Sequence, residues 1–226
     1  MRLCKLIIKV IFITLFVVGC AVNVPLSVDY FQSEKKVGII QITNDIGVSK
    51  LGSQGLIDVL LTSQEKYKVP LTIVDEEINP AIEISDMYQE IYNSNNKSLQ
   101  IIDDTIDFKS IAKFQKPESD KIFYKFDLRY LKSKHNIDEL LLVNVVYGLE
   151  IEYAYGLIVA ARRGQCQISS EIINLDDNSL IYNHKSYSRE NMKGKWNTPP
   201  TYEMLKYTIK MAIDKSIGDS FSDMYR

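Results

Sequence analysis

Three cysteines and two histidines supply all the thiol and imidazole chemistry of the 226 residues. His135 and His184 stand far apart, and neither belongs to an H-E-x-x-H helix or a Cys-rich cluster, so no metal site is expected. Carboxylates gather at Asp75-Glu76-Glu77, at Asp103-Asp104 with Asp107, and at Asp176-Asp177. A pair of carboxylates flanking a cleft is the equipment of glycoside cleavage. All three groups fall where helices or strands should end, so solvated turns and caps are their ordinary reading. Gly52-Ser53-Gln54-Gly55 lacks the G-x-S-x-G spacing of a nucleophile elbow, and Gly194-Lys195 is followed by Trp196 where a phosphate loop needs Ser or Thr. The sequence therefore assigns no catalytic residue and no cofactor. A small cell-wall or polysaccharide-processing enzyme with paired carboxylates is the alternative reading.

Cys20 is different, because its surroundings define a reaction. Residues 1–20 place Arg2, Lys5 and Lys9 before an apolar run, Val10 to Val18, broken only by Thr14 and followed by Gly19 and Cys20. That is the layout of an export signal. The uninterrupted run is about half of the ~20 residues that cross a bilayer. Val17-Val18-Gly19-Cys20 resembles the bacterial lipobox. The resemblance implies diacylglycerol on the Cys20 thiol, cleavage between Gly19 and Cys20, and an acyl chain such as palmitate on the new amino terminus. Only a cysteine offers the sulfur for a stable thioether, and a small residue before it fits a peptidase cleft. Two or three chains, at roughly 0.8 kcal/mol per buried CH2, hold a protein durably where one does not. Ala21 follows in place of Asp, which implies the outer membrane of a two-membrane envelope, with the domain on the periplasmic side.

Loss of residues 1–19 removes three basic side chains and no acidic ones, leaving 24 basic against 29 acidic groups. A chain of that balance gives no electrostatic case for binding nucleic acid. Cys4 leaves with the signal, so Cys166 has no internal disulfide partner and reads as a small buried hydrophobe.

Behind the signal, residues 20–36, with Pro25, read as a lipidated tether, and residues 37–226 as one globular domain. Val37 to Ile42 reads as a buried strand. Ser53 is placed to cap a helix through Leu61, and Leu71-Thr72-Ile73-Val74 reads as a second strand. Pro80 opens a helix through Ile84, Met87, Tyr88 and Ile91, and Ser119 begins another through Phe123, Phe126, Tyr130 and Leu131 to about His135. Two strand-length runs, from Glu139 to Ala154 and from Leu157 to Leu175, precede the turn residues Asp176 to Ser179 and a third strand from Leu180, predicting an antiparallel meander. Tyr202, Leu205, Ile209, Ile213, Ile217, Phe221 and Met224 recur at helical spacing. The predicted class is α+β, a mixed β-sheet covered by helices in the order β-α-β-α-α-β-β-β-α.

With its lipobox, its first strand KVGIIQI and the hairpin pattern EIINLDDNSLIY before a terminal helix, the chain resembles small bacterial lipoproteins built on the domain found at the amino terminus of TolB. These include the curli secretion lipoprotein and the lipoprotein activators of penicillin-binding proteins. The resemblance implies a non-enzymatic envelope protein that works as a binding, scaffold or secretion and assembly accessory, through an envelope protein partner or a homo-oligomer. Interfaces favour aromatic and Arg side chains, which singles out Trp196, in the loop Lys193 to Pro200, and Arg162 with Arg163 as contact candidates.

Overall fold

A computed structural model describes residues 23–51, 65–155 and 158–224. Its strands are β1 (Val37–Thr43), β2 (Gly47–Leu51), β3 (Leu99–Ile101), β4 (Glu139–Ala154), β5 (Ile158–Asn174) and β6 (Leu180–Asn191). Its helices are α1 (Glu65–Glu77), α2 (Pro80–Ser94), α3 (Tyr130–His135) and α4 (Glu203–Met224). The six strands form one sheet in the order β3-β1-β4-β5-β6, with β2 also on β4, so the α+β class read from the sequence is the observed one.

β4 is the axis. β1 pairs with it in parallel from Val37↔Glu139 to Thr43↔Val145, and β2 resumes the same edge from Gly47↔Gly148 to Leu51↔Glu152. The interruption is bridged by Asn44, whose backbone N–H donates to the Val145 carbonyl at 3.0 Å. Gly148 has φ +140, and a Cβ there would lie 2.1 Å from the Gly47 carbonyl oxygen, so only glycine lets the two strands meet at the jog. β4, β5 and β6 form the expected antiparallel meander.

Helices cover one face of the sheet. Tyr67, Leu71, Val74 and Ile78 of α1 and its end, the inner side of α2, and Leu205, Ile209, Ala212 and Ile213 of α4 bury against Leu141, Val143, Val145 and their neighbours. Gly164 is where α4 sits closest, since a Cβ there would fall 2.3 Å from the Thr208 carbonyl oxygen. On the opposite face, residues 102–137 build a second core, with Ile102, Ile106, Leu128, Leu131 and Ile137 packed on Ile40, Leu140 and Leu142.

Four sequence expectations need correction. Leu71–Val74 is helical, not a strand: Tyr67, Leu71, Val74 and Ile78 are all buried at spacings of four, three and four, and that tertiary stripe overrides the β-branched Thr72, Ile73 and Val74 and Pro70 inside α1. Residues 119–129 are irregular, and only Tyr130–His135 is helix. Their backbone is claimed by the β5–β6 turn. Buried Asn178, at φ 64, accepts from the Leu128 N–H at 3.0 Å and donates to the Phe126 carbonyl at 2.9 Å, while the Leu180 N–H donates to the Ile122 carbonyl at 2.8 Å. β2 and β3 are additional strands, so among the described residues the order of strands and α-helices is β-β-α-α-β-α-β-β-β-α. Finally, the segment read as a tether through Lys36 is folded onto the domain from Val24. Val24 bridges Asn183 on β6, Tyr30 is buried with its hydroxyl 2.9 Å from that of Tyr92, and Lys36 N–H donates to Asp138 at 3.0 Å. The helix expected from Ser53 to Leu61 lies outside the described residues, as do Gly19 and Cys20.

Candidate functional site: the uncovered face of the meander

The segment 102–137 covers only the lower part of its face. Beyond it, alternate residues of β4, β5 and β6 point outward with no layer over them among the described residues, in cross-strand rows set by register: Asn144↔Ser169↔Lys185, Val146↔Gln167↔Tyr187, Gly148↔Gln165↔Arg189 and Glu150↔Arg163↔Asn191. An antiparallel sheet tolerates one solvated face, and neighbouring side chains on it interact directly.

Glu150 organises the upper rows. Its side chain is 1% exposed and accepts from Arg163 Nη1 at 3.2 Å, from the Tyr187 hydroxyl at 2.8 Å and from Arg189 Nη2 at 2.9 Å. Arg163 also meets Glu152 at 2.5 Å and donates from Nε to Asn191 at 3.0 Å. Hydrogen bonding to Glu152 leads the causes that raise the Arg163 pKa, with Glu150 adding to it. Burial raises the Tyr187 phenol, which the Arg189 contact partly offsets. Both oxygens of Glu150 are thus committed to cationic or hydroxyl donors. The group is a rigid, charge-balanced patch suited to recognition, because its carboxylate is satisfied internally while Arg189 and Tyr187, 42% and 43% exposed, face outward. Where the covering segment ends, a cavity of about 540 Å³ opens beside this patch, lined by Asn44, Tyr124, Asn144, Glu171 and Lys185 among others.

Arg162 and Arg163, adjacent in sequence, project to opposite faces. Arg163 joins the patch. Arg162 lies on the helix side with its guanidinium 5.3 Å from the Trp196 ring centroid, and that ring packs on Tyr67 at 4.9 Å. The structure therefore brings Trp196 and Arg162 together and sends Arg163 elsewhere. β5 lies between β4 and β6, so neither arginine guards a sheet edge.

The acidic groups make local pairs. Glu77 meets Lys206 at 2.6 Å, Asp104 meets Lys134 at 2.6 Å and His135 at 3.0 Å, Asp176 meets Lys132 at 2.5 Å, and Asp177 meets Lys121 at 2.7 Å. Asp75 accepts from the Tyr147 hydroxyl. His184 sits between Asp223 and Asp219 of α4. Cys166 is fully buried, and burial pushes its thiol up to about 12. Glu150 and Arg189 were not singled out from the sequence; the signal for Glu150 was the alternation L-E-I-E-Y, which sets polar against apolar positions on β4, whereas S-Y-S-R-E on β6 is polar on both faces and carries no such signal.

No family model matches the chain, and no curated protein matches it. Among the described residues, no helix is long and apolar enough to cross a membrane. Similar solved structures include a homolog of a neuraminyllactose-binding hemagglutinin from Helicobacter pylori, with 6% identity, TM-score 0.37, and coverage of 84% of this chain and 83% of the other. A lipoprotein from Neisseria meningitidis is 12% identical, with TM-score 0.28 and coverage of 81% and 99%. A PelC dodecamer from Paraburkholderia phytofirmans is 8% identical, with TM-score 0.26 and coverage of 87% and 95%.

Proposed function

We propose that this chain is a lipid-anchored envelope protein, held through Cys20 in the outer membrane on its periplasmic side, whose domain works by protein–protein contacts and not by catalysis. The domain is of the kind found at the amino terminus of TolB, and its partner is an envelope protein or further copies of itself. The observation that carries the contact reading is the uncovered face of β4–β6, where a satisfied Glu150 fixes Arg189 and Tyr187 in an outward pose. Rigid Tyr and Arg side chains are the types that dominate binding energy at interfaces.

The test compares wild type, Cys20→Ala and Arg189→Glu in native membranes by detergent extraction, crosslinking and mass determination. Wild type is expected in the membrane fraction as a discrete complex. Cys20→Ala should be released, and Arg189→Glu should stay anchored but lose the complex. A Cys20→Ala protein that remains membrane-bound overturns the anchor, and a complex that survives Arg189→Glu overturns the assigned face.

A further inference from the structure

The lipid anchor and the docked amino-terminal segment together set how the domain stands on its membrane. Residues 24–36 form a strap across one end of the sheet, from the outer edge of β6 to the start of β1. At one end Val24 bridges Asn183 in antiparallel sense. In the middle, buried Lys97 donates from Nζ to the Ser33 carbonyl at 2.9 Å, to the Ser33 hydroxyl at 2.6 Å and toward the Tyr30 carbonyl at 3.4 Å, while Leu26 and Phe31 pack on the helix-side core. At the other end Lys36 is held by Asp138.

A chain spans at most about 3.3–3.6 Å per residue, so Cys20 lies within roughly 14 Å of Val24 whatever path it takes. Going back from Val24 to Asn23, antiparallel to β6, the chain heads toward the level of Lys185. Lys185 lies there, exposed, on the rim of the sheet. A long cationic side chain is one that a headgroup layer accommodates. β3 lies at the far edge, four strand spacings from β6, or about 19 Å at ~4.8 Å each.

We infer that the domain stands edge-on, with the β6 rim at the lipid headgroups and the β3 edge turned away. This rests on the proposed lipidation of Cys20. The strap makes the anchor short, so the orientation is built in and not left to a flexible linker.

The test uses lipidated full-length mature protein reconstituted into phosphatidylethanolamine–phosphatidylglycerol vesicles carrying a headgroup-attached quencher. Lys185→Cys and Gln100→Cys, both at exposed positions, are labelled with a maleimide fluorophore; buried Cys166 is out of reach. The Lys185→Cys label should lose most of its emission and the Gln100→Cys label little. A twelve-residue Gly-Ser insertion between Asn23 and Val24 should abolish that contrast. Equal quenching at both positions, or a contrast that persists after the insertion, overturns the inference. The mass of the protein separates the two readings: an unlipidated Cys20 refutes the anchor, whereas a lipidated protein with equal quenching refutes the orientation alone.

Discussion

Two glycines that α4 touches or contains should respond to alanine with opposite signs. At Gly164 the new Cβ would stand 2.3 Å from the Thr208 carbonyl oxygen and 2.7 Å from the Ile209 nitrogen, both backbone atoms of α4. Ordinary contact begins at 3.4 Å, so the helix must withdraw by about 1 Å. A gap of 0.5–1 Å forfeits a quarter to a half of each dispersion contact across it, and Leu205, Ile209, Ala212 and Ile213 all face that gap. Overpacking typically costs 1–3 kcal/mol, and a clash with backbone belongs at the upper end, so Gly164→Ala should destabilise by about 3 kcal/mol. Gly218 lies in the same helix, exposed, with nothing within 4 Å of a new Cβ. There the intrinsic helix preference of Ala over Gly should stabilise by roughly 0.5–1 kcal/mol. The assay is urea unfolding in a Cys20→Ala background, reading shifts of midpoint at constant slope. A Gly164→Ala cost below about 1 kcal/mol would refute the close seating of α4 on β5, since only a helix already standing off the sheet could admit the methyl.

Three further outcomes follow from named groups. Cys166 should resist alkylation at pH 8 in the native protein and react on unfolding, because its thiol is buried and pushed up to about 12; prompt native reactivity would contradict its burial. Burial raises the Asp177 carboxyl, but Lys121 and the Ser179 hydroxyl and N–H outweigh it and hold the group at about 2, below its ordinary 3.8. Its stabilisation is therefore present above pH 4 and lost as pH falls toward 2, so Asp177→Asn should lower the unfolding midpoint at pH 7 and converge with wild type near pH 2. Trp196 is the chain's single tryptophan, so intrinsic fluorescence reports its packing between Tyr67 and Arg162; Tyr67→Ala should shift its emission to the red, and an unmoved spectrum would place the ring elsewhere.

The elements legible in the sequence were those whose periodicity matched one packing partner. β1, α2, the meander and α4 each carry an apolar stripe of the right period over seven or more residues. β2 and β3 carry none: Gly47–Leu51 is half-buried and Leu99–Ile101 is three residues long, and both are strands because β4 and β1 were already in place to pair with them. The stretch from Ser119 to Arg129 looked helical because its aromatic residues recur every three or four positions. The buried amide of Asn178, some fifty residues later, captures the backbone carbonyls and N–H that a helix would have used. The patch was half legible for the same reason. An outward polar row could be read from the alternation in β4, but that Glu150 meets Arg163 and Tyr187 depends on registers set by long-range pairing.

β4 also records where its covering ends. Leu140, Leu141, Leu142 and Val143 are contiguous and apolar because both faces are buried there, alternately in the second core and in the helix-side core. From Asn144 onward the strand alternates: Val145, Tyr147, Leu149, Ile151 and Tyr153 keep to the helix side, while Asn144, Val146, Gly148, Glu150 and Glu152 take the other. The change from a continuous to an alternating run falls where residues 102–137 cease to cover the sheet. A face that required a permanent second layer for stability would continue the apolar run, as obligate interfaces do. A face carrying Glu150, Arg189 and Tyr187 instead stays wet while the protein folds, and still offers anchored side chains of the kind that bind. The composition of this face therefore favours a partner that docks after folding over one that completes the fold; Arg189→Glu should remove the proposed complex, and because it takes a cation from buried Glu150 and sets a second carboxylate beside it, it should also lower the unfolding free energy of the isolated domain, by roughly 1–3 kcal/mol, leaving it folded.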